Sequence, residues 1–127
     1  MSLTILNKQS NKEISQRKME TYEKYCEVIG WGRSYPVEFA SRFMGIELLD
    51  IQKYAIYNAW FRDFIIWLES RNAGKSTQLA IYTMLRSLLI PFHATYFLGN
   101  TGEQAKETYK KIEICHHQNK FLALFWL

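Results

Sequence analysis

The chain has 127 residues, of which 48% are hydrophobic and 16% aromatic, and a formal net charge of +4. Those figures fit one folded domain with a modest core and argue against a disordered chain. Two cysteines 89 positions apart, Cys26 and Cys115, exclude a disulfide scaffold. His116 and His117 lie beside Cys115 but lack the partner pair that a zinc site requires. No apolar run approaches the roughly 18 residues of a membrane span, and the N-terminus is polar beyond residue 6. The expectation is a cytoplasmic protein with reduced thiols, no signal peptide and no membrane contact. The positive charge is spread, with small excesses at Lys8, Lys12, Arg17 and Lys18 and again at Lys106, Lys110 and Lys111. It permits contact with nucleic acid without demanding it, and it reads as solvated helix faces.

In chain order, residues 1–12 are rich in Asn, Gln, Ser and Lys and read as a loose arm. Residues 13–29 carry Ile14, Met19, Tyr22, Tyr25, Val28 and Ile29 at near-helical spacing, which predicts an amphipathic helix ended by Gly30-Trp31-Gly32. Pro36 opens a short helix over 37–44, and Gly45 closes it. A further helix is expected over 49–60 with Ile51, Ala55, Ile56 and Ala59 facing inward, completing a helical lead-in at 13–60. The β-branched and aromatic run 63–68 predicts a strand, followed by a loop at 69–74 and a helix from 75 to about 89 that Pro91 breaks. Residues 94–98 predict a second strand, and a last helix starts near Thr101, with Asn100 and Thr101 as capping residues. Helices followed by β-α-β-α imply an α/β half-domain over 61–113 with a parallel sheet and right-handed crossovers. Trp31, Trp60 and Trp67 lie in apolar periodic segments and read as core or half-core aromatics, not as base-stacking platforms.

The segment Glu69-Ser70-Arg71-Asn72-Ala73-Gly74-Lys75-Ser76-Thr77 concentrates the chemistry. An apolar run stops at a tight polar loop, the loop ends in Gly-Lys-Ser, and a helical pattern begins at once. A phosphate-binding loop uses that order: backbone N–H groups wrap the phosphates, and the helix N-terminus aims its positive dipole end at them. Lys75 would reach the β- and γ-phosphates of ATP, and Ser76 would hold the nucleotide's Mg²⁺. The full pattern begins with a glycine, and Glu69 occupies that position here. An ordinary helix-opening turn, with Gly74 chosen for its backbone freedom and Lys75 solvated, is the alternative.

Gln52, the run from Ser70 to Thr77, and Gly99-Asn100-Thr101-Gly102-Glu103-Gln104-Ala105 together resemble the front of a tailed-phage terminase large subunit. The resemblance covers roughly residues 36–113. It implies a partial P-loop NTPase of the additional-strand, RecA-like type, part of an ATP-driven motor that packages viral DNA into procapsids. By resemblance, Gln52 would recognise the adenine edge, because an amide donates and accepts at once. Arg71 would act as a cis arginine finger or order the loop. Residues 99–105 would couple nucleotide state to DNA grip. The implied partners are double-stranded DNA, a portal protein and a small terminase subunit, with oligomerisation of the full-length motor possible. For Gln52 a solvated helix position stays open, for Arg71 a surface ion pair with Glu69, and for Asn100 and Thr101 capping alone.

The chain departs from that family in its acids. Hydrolysis needs one carboxylate to complete the Mg²⁺ shell and a second to orient the water. After Asp63 there is no aspartate, and downstream of Lys75 only Glu103, Glu107 and Glu113 remain. The expectation is a front fragment that binds nucleotide weakly and does not turn it over. From Ile114 the texture changes to Cys-His-His-Gln-Asn-Lys and then seven apolar residues, 121–127. A frame change or a buried strand would each account for that atypical tail, 114–127. A stand-alone nucleotide-binding module, the front of a P-loop helicase-like ATPase, and an interaction domain in which Gly-Lys-Ser is accidental are the competing readings.

Overall fold

A computed structural model describes residues 16–70 and 74–119. Among the described residues there are five helices: α1 (Gln16–Ser34), α2 (Pro36–Phe43), α3 (Asp50–Trp60), α4 (Lys75–Leu89) and α5 (Gly102–Gln118). Among the described residues there is no β-strand and no β-bridge. The chain divides into two compact units, Met1–Trp31 and Gly32–Leu127.

In the first unit, α1 is exposed along residues 16–27, Met19, Tyr22 and Tyr25 included. Of the stripe expected there, these three are exposed, Val28 and Ile29 are half-buried, and Ile14 lies outside the described residues. The helix also does not stop at Gly30-Trp31-Gly32 but runs through both glycines to Ser34. Gly32, which belongs to the second unit, is buried for a packing reason. A Cβ on it would stand 2.6 Å from Leu89 Cδ2 and 2.6 Å from Phe39 Cδ2.

The second unit is built on α4, which packs against α2, α3 and α5. Its buried residues Ala80, Ile81, Met84, Leu85 and Leu89 recur at helical spacing. Phe39, Ala40 and Met44 from α2 and its C-cap, Ile56, Ala59 and Trp60 from α3, and Ile112 from α5 complete the core. Pro36 sits at the first helical position of α2, and Gly45 turns the chain with φ +61°, as the sequence predicts. Thr101 caps α5, its hydroxyl accepting from the Gln104 N–H at 3.4 Å.

Polar contacts fix the helix ends. Arg33 Nε donates to Leu89 O at 2.6 Å, and Trp60 Nε1 donates to Arg33 O at 2.8 Å. Arg86 lies 5.0 Å from the centre of the Trp60 ring, donates through Nε to Tyr82 Oη at 3.0 Å, and donates through Nη2 to Trp60 O at 3.4 Å. Tyr82 Oη in turn donates to Ala59 O at 3.3 Å. The C-terminus of α3 is thus tied to the middle of α4 by a cation over an aromatic face and by bonds to its last carbonyls. Asn119 Nδ2 donates to Met44 O, joining the end of α5 to the turn after α2.

The α/β expectation is overturned: the described residues are helical and form no P-loop parallel sheet. Residues 63–68 and 94–98 carry no ladder bonds. In the apolar run that predicted a strand, Phe64 is 84% and Leu68 92% exposed, while Trp67 is half-buried. Trp67 packs edge-on against Tyr82 at 5.6 Å. A strand exists only with a neighbour to share its hydrogen bonds, and among the described residues neither segment has one. Tyr96 and Leu98 are exposed for the same reason. Ile51 is likewise outward at 72% exposure, whereas Ile56 and Ala59 are buried as expected. Helix α5 continues through Ile114 to Gln118, so the change of texture there falls inside a helix. The apolar residues 121–127 lie outside the described residues.

The two glycines of α1 give a paired test. Gly32→Ala gains about 1 kcal/mol of helix propensity but adds a methyl against two buried side chains, an overpacking cost of about 1–3 kcal/mol. Net destabilisation is expected in urea titrations. Gly30, with nothing within 4 Å of its Cβ position, should instead gain up to about 1 kcal/mol on conversion to alanine.

Candidate functional site

The candidate site forms where irregular chain enters α4. Gly74 is the N-cap residue, with φ +80° and ψ 17°, the left-handed conformation in which an L side chain is strained. The helix then begins at Lys75, and Gln78 N–H donates to Gly74 O at 2.9 Å to close the first turn. Helical geometry leaves the N–H groups of Lys75, Ser76 and Thr77 without intrahelical acceptors, and these are the donors a phosphate would use. Ser76 and Thr77 are half-buried, whereas Ser70 and Lys75 are exposed. Arg71, Asn72 and Ala73, the expected loop and arginine-finger residues, lie outside the described residues.

Gln52, 22 positions before Gly74 in sequence, comes to the same place. Its Oε1 accepts from the Leu49 N–H at 3.1 Å, the reach-back half of a capping box at the start of α3. Its Nε2 lies 3.2 Å from the position that a Cβ on Gly74 would take. The amide therefore both caps its own helix and fills the space beside the glycine that opens α4. An amide oxygen has two lone pairs and an amide nitrogen two protons, so capacity for a further partner remains on both.

Lys75 turns back on the loop, its Nζ donating to Glu69 O at 2.8 Å. The Glu69 carboxylate reaches the other side of the first turn, where Oε1 accepts from Gln78 Nε2 at 3.2 Å. Gln78 is 1% exposed and was not among the expected site residues. Its sequence signal was available: Gln78 stands three and seven positions before Ile81 and Leu85, on the stripe that forms the core. The second carboxylate oxygen, Oε2, is buried with no hydrogen-bond partner among the described residues.

The residues present fit a phosphate by donor type: first-turn N–H groups, an ammonium that a longer-range ligand could draw off a neutral carbonyl, and a hydroxyl at Ser76. They fit a metal ion less well. Among the described residues no three His, Cys, Asp or Glu side chains gather into a cation site, so Mg²⁺ would arrive with the nucleotide and meet only Ser76 from this loop. Glu103, Glu107 and Glu113 are exposed on α5. Cys26 and Cys115 are free thiols, and burial pushes the Cys115 thiol pKa up, which lowers its reactivity.

Among the described residues no helix is long and apolar enough to cross a membrane. Compared with protein-family models, with curated proteins and with solved structures, the chain has no significant match.

Gly74→Ala tests the geometry of the turn. The left-handed backbone should cost an alanine about 1–2 kcal/mol. The 3.2 Å approach to Gln52 adds little, because a flexible amide can move. The measured loss should therefore persist when Gln52→Ala is added, with near-additive effects in denaturant titrations.

Proposed function

We propose that the turn into α4 is a nucleotide phosphate-binding loop, and that the chain is the N-terminal ATP-binding segment of a motor resembling the terminase large subunit of tailed phages. In that reading it acts in the host-cell cytoplasm, with double-stranded DNA, a portal protein and a small terminase subunit as partners of the complete motor. The reading rests on the loop and its flanking side chains, not on a sheet.

The observation that carries it is the left-handed Gly74 at the head of a 15-residue helix, with Lys75 next in the chain and the Gln52 amide against the glycine. The glycine accepts the left-handed turn that opens the helix, and the first-turn N–H groups have no intrahelical acceptors. The phosphates would lie on those N–H groups, Lys75 would neutralise their charge, and Ser76 would meet the Mg²⁺ they bring. Gln52 would offer its remaining amide capacity to the adenine edge.

Binding without turnover is the expected behaviour. The carboxylates that follow Lys75, Glu103, Glu107 and Glu113, are exposed on α5, and none is an aspartate at the end of a buried segment. The competing possibility of an accidental Gly-Lys-Ser has a direct test. Calorimetric titration with Mg–ATP should show binding that Lys75→Ala weakens tenfold or more, with helix content unchanged by circular dichroism. Equal affinity in the two proteins would overturn the phosphate-loop reading.

A further inference from the structure

We propose that Glu69 is a built-in competitor for the phosphate, engaging Lys75 and Gln78 at the start of α4 in contacts that a nucleotide has to displace. This inference rests on the nucleotide-binding reading above.

Phosphate loops of this pattern open with glycine, and this one opens with a carboxylate. The structure shows where that carboxylate goes. Glu69 Oε1 accepts from Gln78 Nε2 at 3.2 Å, and Gln78 is a polar side chain carried into the core of α4. Glu69 Oε2 is buried without a hydrogen-bond partner among the described residues. A carboxylate oxygen withdrawn from water and given no donor is costly unless something else favours negative charge there. The Gln78 side chain holds the carboxylate near the first turn of α4, where the positive end of the helix dipole favours negative charge.

The main chain of the same residue takes the other phosphate-binding resource. Glu69 O accepts from Lys75 Nζ at 2.8 Å, so the ammonium is directed at the loop's own carbonyl. Side chain and carbonyl of one residue thus engage the helix end and the lysine together. A polyphosphate entering this corner would draw Lys75 away from the carbonyl and would share a partly desolvated space with a like charge. Its apparent affinity is then the intrinsic affinity reduced by the fraction of molecules in which Glu69 has let go. The device sets the affinity of the site without touching the nucleotide's base, and it places the control on a residue outside Gly-Lys-Ser.

The experiment compares Mg–ATP affinity in the wild-type chain, Glu69→Gln, Glu69→Ala and each of these combined with Lys75→Ala. Glu69→Gln keeps the size of the side chain and a partner for Gln78 while removing the charge, so it guards against misfolding of the alanine variant. The expected result is a tenfold or greater gain in affinity for both single variants, lost when Lys75→Ala is added. Unchanged or weaker binding by Glu69→Gln, with wild-type binding still sensitive to Lys75→Ala, would overturn the competitor role and leave the phosphate-loop reading standing. Absence of binding in every variant, or binding indifferent to Lys75, would overturn that reading and this inference with it.

Discussion

The second unit depends on covering α4 from several directions. Ala80, Leu85 and Leu89 are fully buried, and the residues that cover them come from α2, α3 and α5. A helix apolar around so much of its girth cannot be left half-packed in water. That constraint explains why the last turn of α1 needs a glycine at position 32, where Phe39 and Leu89 press against its backbone. Polar ties then join the middle and the end of α4 to its neighbours. Arg33 holds the Leu89 carbonyl, and Arg86 and Tyr82 hold the end of α3. The apolar stripe positions the helices, and the terminal hydrogen bonds fix their register.

The same helix sets up the candidate site. A helix buried along its length still exposes unsatisfied N–H groups at its start, and the position of that start is fixed by the core behind it. Gln52 reaches Gly74 because α3 is tied to α4 at its other end by Trp60, Tyr82 and Arg86. Site geometry is in this sense a by-product of core packing: no hydrogen bond need join Gln52 to the glycine for the two to meet. Glu69 and Gln78 stand apart from that logic. Their contact places a polar pair on the core stripe, where an apolar residue would pack with less cost.

Local punctuation was legible in the sequence. Pro36, Gly45, Gly74, Pro91 and Thr101 mark helix limits that the structure reproduces, and α4 runs from Lys75 to Leu89 as its pattern predicts. The failures come from signals whose meaning depends on distant chain. The β-branched and aromatic run at 64–68 reads the same in a strand and in an unpaired extended segment, and only a neighbouring strand distinguishes them. Gly30-Trp31-Gly32 looks like a helix stop, yet Gly32 serves a close approach by residues far away in sequence. Ile51 follows helical spacing but falls on the outward face of α3. In the site, Gly74 and Lys75 were readable from the motif. The engagement of Glu69 by Gln78 was not, because a buried glutamine on an apolar stripe announces a partner without naming it.

Position 74 also has a preference of handedness. Its backbone torsions are those of a mirror-image residue, and an L side chain would be sent toward the Gln52 amide. A D-amino acid accepts positive φ without strain and projects its Cβ in the opposite sense. The turn therefore asks for inverted chirality, which the ribosome cannot supply, and glycine meets the requirement by having no handedness at all. A semisynthetic chain carrying D-alanine at this position would keep the torsion while lowering the freedom of the unfolded state, separating the entropy of glycine from its shape.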